Sequence, residues 1–460
     1  MTQPIFPRLV VAAAALAAAV LFFLPPPAGA TATVMHAAAV VTLTIALMAT
    51  VALPEYLVGL TFFFLAVVLA VAPPNVVFSG FHSGAVWMVF AGLILGVAID
   101  STGLGARIAR WLVAVVSGGY FTMLVGIVWI MALLAFVMPS SVGRVTIMMP
   151  IVLLLADRVG LVEGRRGRTG LALAVAMGTL TPTFAILPAS VPNLALAGAA
   201  EAIHSIQFTY TDYLVLHFPV IGLVSMLALP PAIWLLFRDR TAPDSGGAGA
   251  VRLTGAEIRL MIVLLAALAL WATDTLHGVK PAWVGLGAAI VCVLPRVGVL
   301  PAGAAIQKMS FGPILFLAGV VGMGAVVTHS GLGRVVGDAL QGALALDAGG
   351  GFGNFAALVG LGTAMGLVTT LPGEPAIMTA LAENLARATG WPLLSVLMTQ
   401  VPSWALLMFP YQAPPLVVAM VVGRIGVGQF LRLLIPMALF GWVVMVPLQY
   451  LWWRHLGYLP

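Results

Sequence analysis

Two short stretches carry the residues with the clearest chemistry. MPSSVGRVTIMMP, Met138 to Pro150, holds the hydroxyl pair Ser140 and Ser141, a glycine and then Arg144. VTTLPGEPAIMTA, Val368 to Ala380, holds Thr369 and Thr370, a Pro-Gly and then Glu374. Both lie in strongly apolar surroundings, where a charge is costly unless paired or hydrated and so marks a functional site. A guanidinium can hold carboxylate or sulfate bidentately, so Arg144 reads as an anion ligand. Glu374 reads as its partner, or as a proton carrier whose hold on the proton changes with access to water. The plainer alternative for both charges is a structural ion pair. The four hydroxyls stand where broken half-helices begin, and the free N–H groups there can hold an anion. The same hydroxyls can also serve only as helix caps. Later in each half, PASVPN (Pro188 to Asn193) and QAPP (Gln412 to Pro415) offer Ser190, Asn193 and Gln412 as further ligands or caps.

These residues must be positioned by membrane helices. The chain has 460 residues, 62% hydrophobic and 7% charged, with a mean hydropathy of +1.14. A bilayer is the solvent that suits this balance. One cysteine, Cys292, excludes a disulfide framework and a cysteine metal site. The net charge of +6 is read as cytoplasmic-loop anchoring. No basic, aromatic-interleaved patch suggests a nucleic-acid partner. Gly-rich phosphate loops, metal spacings and nucleophile triads are absent from the sequence, which argues against an ATP-driven pump or a membrane hydrolase. His82, His204, His277 and His329 fall at or near loops and read as interfacial residues.

Apolar runs long enough to cross stand near 8–28, 33–53, 55–73 and 85–100. The first, followed by PPPAGATA, resembles a signal peptide but is taken as a retained span, residues 1–29, because the topology then closes. The amphipathic GLGARIARWLVAVV is expected along the interface. From Arg144 to Asp157 the arm after the break has 14 residues, about 21 Å of helix. That is shorter than the hydrocarbon core of about 30 Å, so residues 121–157 read as a re-entrant hairpin entering from the cytoplasm. A polar linker, 238–257, precedes a restart of the pattern over 258–460, with a second hairpin at 352–389 entering from outside.

The restart is an internal repeat of 30–237. FAGLILGVAIDSTGLGARIA from Phe90 matches LAGVVGMGAVVTHSGLGRVV from Leu317, and the two breaks follow in the same order at an offset of about 225–229 positions. Five crossings per repeat invert the second half, so the two hairpin tips face each other near the midplane. With the N-terminus inside, fifteen basic residues fall in the cytoplasm and four, Lys280, Arg334, Arg387 and Arg454, fall outside, with Arg144 at membrane depth.

With these motifs the chain resembles the divalent anion:sodium symporter family of the ion transporter superfamily, from about Ala30 to Tyr458. Ser140 to Val142 and Thr369 to Leu371 sit where that family carries Ser-Asn-Thr tips. Ala189 to Asn193 and Gln412 to Leu416 replace its Gly-Thr-Pro-Pro-Asn-like turns. The resemblance implies an inner-membrane secondary transporter with elevator-like movement, a homodimer, and sodium and anion sites at the tips. Here both tip asparagines are missing, and a fixed cation stands just past the first tip. Sodium-independent transport, by proton coupling or exchange, is therefore expected, with no cofactor.

The sequence thus predicts an all-α polytopic membrane protein of about eleven transmembrane helices plus two re-entrant hairpins in two inverted repeats. Its expected function is to move a small, divalent organic or inorganic anion. A sodium/proton or arsenite-type antiporter and a non-transporting membrane sensor are the alternatives.

Overall fold

The computed structural model describes residues 5–26, 31–50, 52–108, 119–242, 253–301 and 303–459. Among these residues the regular structure is helical, without a strand. Composition explains this. Where water does not reach the backbone, each N–H and C=O must be paired within its own segment, and a helix does so. Among the described residues seven helices are long and apolar enough to cross a membrane, from Ala32–Thr50 to Val427–His455. Shorter apolar helices, such as Leu9–Phe23 and Pro281–Val293, occupy further runs in which the sequence predicts crossings. The expected interfacial stretch after the fourth run is described only to Ile108. Residues 109–118, 243–252 of the linker, and 1–4 and 27–30 around the first run lie outside the described residues.

The helices that frame the site are α1 (Glu55–Val68), α2 (Gly84–Thr102), α3 (Tyr120–Val137), α4 (Ser141–Arg158), α5 (Arg166–Leu180), α6 (Val191–His204), α7 (Pro281–Val293), α8 (Gly312–Ser330), α9 (Phe352–Val368), α10 (Glu374–Thr389) and α11 (Pro414–Gly423). Both singled-out stretches fold as helix, break, helix. Between α3 and α4 the chain is extended at Met138 and Ser140. Pro139 causes this, since it lacks an N–H and disfavours a helical residue before it. Between α9 and α10 Thr369 is extended, and Pro375 sits in the first turn of α10, where its missing N–H costs nothing. Between α5 and α6 two short turns, Thr181–Ala185 and Leu187–Ala189, carry the chain past Pro182 and Pro188. A turn at Pro410–Gln412 leads into α11 in the same way.

The packing comes in exchanged pairs. α2 lies on α7, and α8 lies on α1; α6 lies on α10, and α11 lies on α4. In each case one half supplies the helix that the other half supplies in the matching contact. α8 is mostly buried and touches backbone on two sides. A Cβ added to Gly59 of α1 would sit 2.7 Å from the Leu315 carbonyl of α8, and one on Gly324 of α8 would sit 2.8 Å from the Ala376 carbonyl of α10. Only glycine allows such close approach.

At one end of the bundle Asp239 accepts from Arg165 Nε at 3.2 Å and from the Gly167 amide at 2.9 Å. Desolvation alone would raise this carboxyl; the hydrogen bonds from Arg165, Gly167 and Arg240 outweigh it and hold the group below its ordinary range.

Candidate functional site

At the first tip the hydroxyls are already engaged. Ser140 Oγ accepts from the Gly143 amide at 3.0 Å, capping α4. Ser141 Oγ donates to the Ala189 carbonyl at 3.1 Å, tying the tip to the break before α6. One turn on, Arg144 is fully buried. Its Nη1 donates to the Met138 carbonyl. Its Nη2 lies 3.1 Å from Ser141 Oγ, 3.0 Å from Thr179 O, 3.4 Å from Thr183 Oγ1 and 3.1 Å from Ala189 O. The guanidinium is thus a cation tethered in a nest of five oxygens, all from the first half. Among the described residues no ion pair joins it to Glu374, so the pairing expected from repeat symmetry is not formed here.

The second tip is built differently. Thr369 Oγ1 donates to Met365 O at 2.9 Å and lies 3.1 Å from Thr370 O. Thr370 is buried, and its carbonyl accepts from the Gly373 amide at 2.8 Å. Glu374, fully buried at the start of α10, accepts at Oε1 from Ser403 Oγ at 3.0 Å. Its Oε2 has no partner among the described residues. The side chain of Gln412 is spent on the backbone. Its Oε1 accepts from the amides of Met408 at 2.9 Å and Phe409 at 2.8 Å, and its Nε2 donates to Gly366 O at 3.0 Å. Asn193 likewise donates to Ile186 O at 2.8 Å, braced inside its own break, with Oδ1 buried and unpartnered among the described residues.

The tips and breaks meet around a cavity of about 370 Å³. Pro139 to Val142 and Leu371 with Pro372 enter from the tips, Ser190 to Pro192 and Ala413 to Pro415 from the breaks. Glu55, Met88, Ser310 and Phe316 also line it. Three helix N-termini, those of α4, α6 and α11, therefore border it; those of α4 and α6 carry orphan N–H groups and a partial positive charge, whereas α11 opens on Pro414 and Pro415, which have no N–H to offer. Ser190 stands out. It lies at the N-cap of α6, is 2% exposed, and its Oγ makes no hydrogen bond among the described residues. Arg144, Asn193, Glu374 and Gln412 do not line this cavity. The sequence reading missed Glu55, although an ionisable residue at the start of an apolar run is a signal in itself. A smaller cavity of about 160 Å³, walled in part by Glu201, Asp274 and Lys280, shares Met88 and Leu194 with the first.

The tips can be tested for a monovalent cation. At the first tip the oxygens that would surround one already hold the nitrogens of Arg144, so an added ion does not fit. Among the described residues no group of three His, Cys, Asp or Glu could hold a metal elsewhere.

Among curated proteins the chain is 25% identical over 403 residues to a membrane protein of Cupriavidus necator, covering 83% of this chain and 76% of that one. It is 24% identical over 300 residues to the inner membrane protein YbhI of Escherichia coli, covering 62% and 61%. Two solved structures share the fold. The YdaH transporter of Alcanivorax borkumensis aligns with a TM-score of 0.54 at 17% identity, over 87% of this chain and 89% of that one. MtrF of Neisseria gonorrhoeae, from a class of antimetabolite efflux pumps, aligns with a TM-score of 0.52 at 13% identity, over 98% and 95%. The family model for the sodium:sulfate symporter transmembrane region matches residues 6–459, and the chain belongs to that family.

Proposed function

We propose that this membrane transporter moves a small anion by secondary transport, with the cavity between the two tips as its binding site. The carrying observation is Ser190, a buried hydroxyl without a partner, at a helix N-terminus that opens on that cavity. A carboxylate or sulfate oxygen there would accept from Ser190 and from the first-turn amides of α6. The hairpins are re-entrant from opposite faces in two inverted repeats, the N-terminus is cytoplasmic, and the protein works in the inner membrane as a homodimer with an elevator-like movement.

Transport is sodium-independent in this reading. The tethered guanidinium does for the first tip what a bound cation does elsewhere: it neutralises carbonyl oxygens at a helix break. Glu374, fully buried at the start of α10, serves as the proton carrier in this reading. A second reading, a cation antiporter, has one observation in its favour. The charged side chain on the cavity wall, among the described residues, is the acidic Glu55.

Proteoliposomes separate these. A pH gradient without a sodium gradient should drive anion accumulation, and a sodium gradient alone should not. Sodium-driven accumulation would overturn sodium independence, and proton release on sodium addition, without anion uptake, would establish the antiporter.

A further inference from the structure

We infer that Glu201 is the latch on a second entrance to the anion cavity: its carboxylate pins α6 to α2 and to the start of α7, and its release uncovers Lys280 and the α2 N-terminus to the incoming anion. This rests on the proposed anion site at Ser190 and the proposed movement, and adds a residue that controls access to that site.

The two cavities lie end to end. Along α2, Gly84 and Ala85 line the smaller one, Val89 and Gly92 the larger, and Met88 both. Along α6 the order reverses: Pro192 lines the larger, Ala197 and Glu201 the smaller, and Leu194 both. The two helices thus wall one groove, which Met88 and Leu194, both buried, divide. A methionine makes a movable partition, since its side chain is unbranched and turns about three bonds. Among the described residues Lys280 is the basic side chain that lines either cavity. It is also one of the four basic residues expected outside.

Glu201 closes this end of the groove. Its Oε2 accepts from the Gly84 amide at 2.7 Å, and its Oε1 accepts from Gln207 Nε2 at 3.1 Å and Lys280 Nζ at 3.4 Å. Gly84 is the first residue of α2. Ser83 before it is of a type that caps helices, but its hydroxyl donates to Gly80 O at 2.9 Å and makes no cap bond. The N-terminus of α2 is therefore capped from α6, by a carboxylate that also meets the positive end of the helix. The seat is close. A Cβ added to Gly198, one turn before Glu201, would sit 2.9 Å from the Ala85 Cβ, and one added to Gly84 would sit 3.3 Å from the Ala282 Cβ of α7.

The contacts are unequal. The bond to Gly84 is short and charge-assisted, the stronger kind. Lys280 is 42% exposed, and such a surface pair adds little. The cap is thus the latch, and Lys280 is covered by it more than it holds it. The latch also joins parts that would separate. α6 is tied to the first tip, since Ala189 O accepts from both Ser141 and Arg144 at 3.1 Å, whereas α2 and α7 lie on each other. When Glu201 leaves with α6, an orphan amide and an ammonium face the groove, which then attracts an anion.

The test uses the full-length protein in a Cys292→Ala background, with Ala197→Cys as the reporter on the wall of the smaller cavity. In detergent, two methanethiosulfonates of opposite charge, sulfonatoethyl and trimethylammonioethyl, measure how often that wall is reached. Glu201→Ala should speed both reactions about tenfold, the effect of losing a hydrogen bond to a charged group. Glu201→Gln, whose amide oxygen can still accept from Gly84, should speed them less, and Lys280→Met by roughly twofold or less. Unchanged rates in Glu201→Ala would overturn the latch; so would rates that move in opposite directions for the two reagents, which report charge alone. Ala85→Cys with Gly198→Cys replaces the latch by a covalent tie between the same helices. In proteoliposomes, uptake of sulfate or succinate should stop in the oxidised pair and return with dithiothreitol. Uptake indifferent to the disulfide would overturn the entrance and leave the anion transporter standing. A parent that takes up neither sulfate nor succinate counts against the anion reading, while the thiol rates still decide the latch.

Discussion

Replacing Arg144 with alanine tests whether the first half carries a built-in cation. The magnitude follows from its five oxygens. Ala189 O keeps the Ser141 hydroxyl at 3.1 Å, and Thr179 O keeps the Thr183 hydroxyl at 2.7 Å. The Met138 carbonyl has no other donor among the described residues. Leaving one buried acceptor orphaned costs about 1–3 kcal/mol. The vacated nest would then suit a small monovalent cation. A ligand at 100 times its dissociation constant stabilises by about 2.7 kcal/mol, enough to offset most of that loss. Thermal unfolding of purified Arg144→Ala should thus fall by several degrees in choline chloride and recover in sodium chloride at equal ionic strength. The parent should unfold alike in both salts. A variant as stable as the parent in choline, or one indifferent to sodium, would refute the tethered-cation argument.

Further predictions concern topology, coupling and pH. Cysteines introduced singly at Arg165 and Asp347, both exposed, in a Cys292→Ala background should differ in intact cells: an impermeant thiol reagent should label 347 and spare 165, and the reverse pattern would remove the proposed orientation. Glu374→Gln should abolish accumulation driven by a pH gradient while keeping exchange of internal for external substrate; unchanged pH-driven accumulation would take Glu374 out of coupling. The Asp239 carboxyl is held below its ordinary range, so its pairing stabilises the fold above the unfolded-state value of about 3.9 and is lost as pH falls through the lower folded-state value. Asp239→Asn should therefore be less stable than the parent at pH 7, with the gap closing below about pH 4; a gap independent of pH would show that the pair contributes no charge-dependent stability.

The positions of the two breaks were legible because they are written in residue types. Pro139 and the Leu-Pro-Gly after Thr370 interrupt apolar runs, and the structure ends helices at Val137 and Val368. The direction in which Arg144 points was not legible. Its acceptors are chiefly carbonyls, which every residue has, contributed from 35 and 45 positions away at Thr179 and Ala189. Symmetry suggested Glu374 as its partner, whereas the fold gives that carboxyl Ser403 and leaves it no cation. Gln412 was readable as polar and out of place in an apolar run. That its amide would be used up by three backbone groups depends on the turn at Pro410, not on the residue itself. Ser190 gained its standing through a missing hydrogen bond, which no sequence displays.

In the proposed mechanism the close approaches of α8 separate how fast this protein works from how tightly it binds. Where glycine meets a carbonyl, as at Gly324 and Ala376, there are no ridges to lift out of grooves. At that point the contact resembles a plain bearing: what it loses on displacement is a weak Cα–H···O contact, roughly 0.5–1 kcal/mol. In the proposed elevator-like movement a shift of α10 along α8 would run over that surface, at residues other than those that line the cavity. A methyl group added there would act as a pawl. It would catch the hairpin between positions and slow turnover, while the grip on the anion at Ser190 stayed as it was. If the proposed movement and site hold, speed and affinity are set by different residues, and selection can tune one without touching the other.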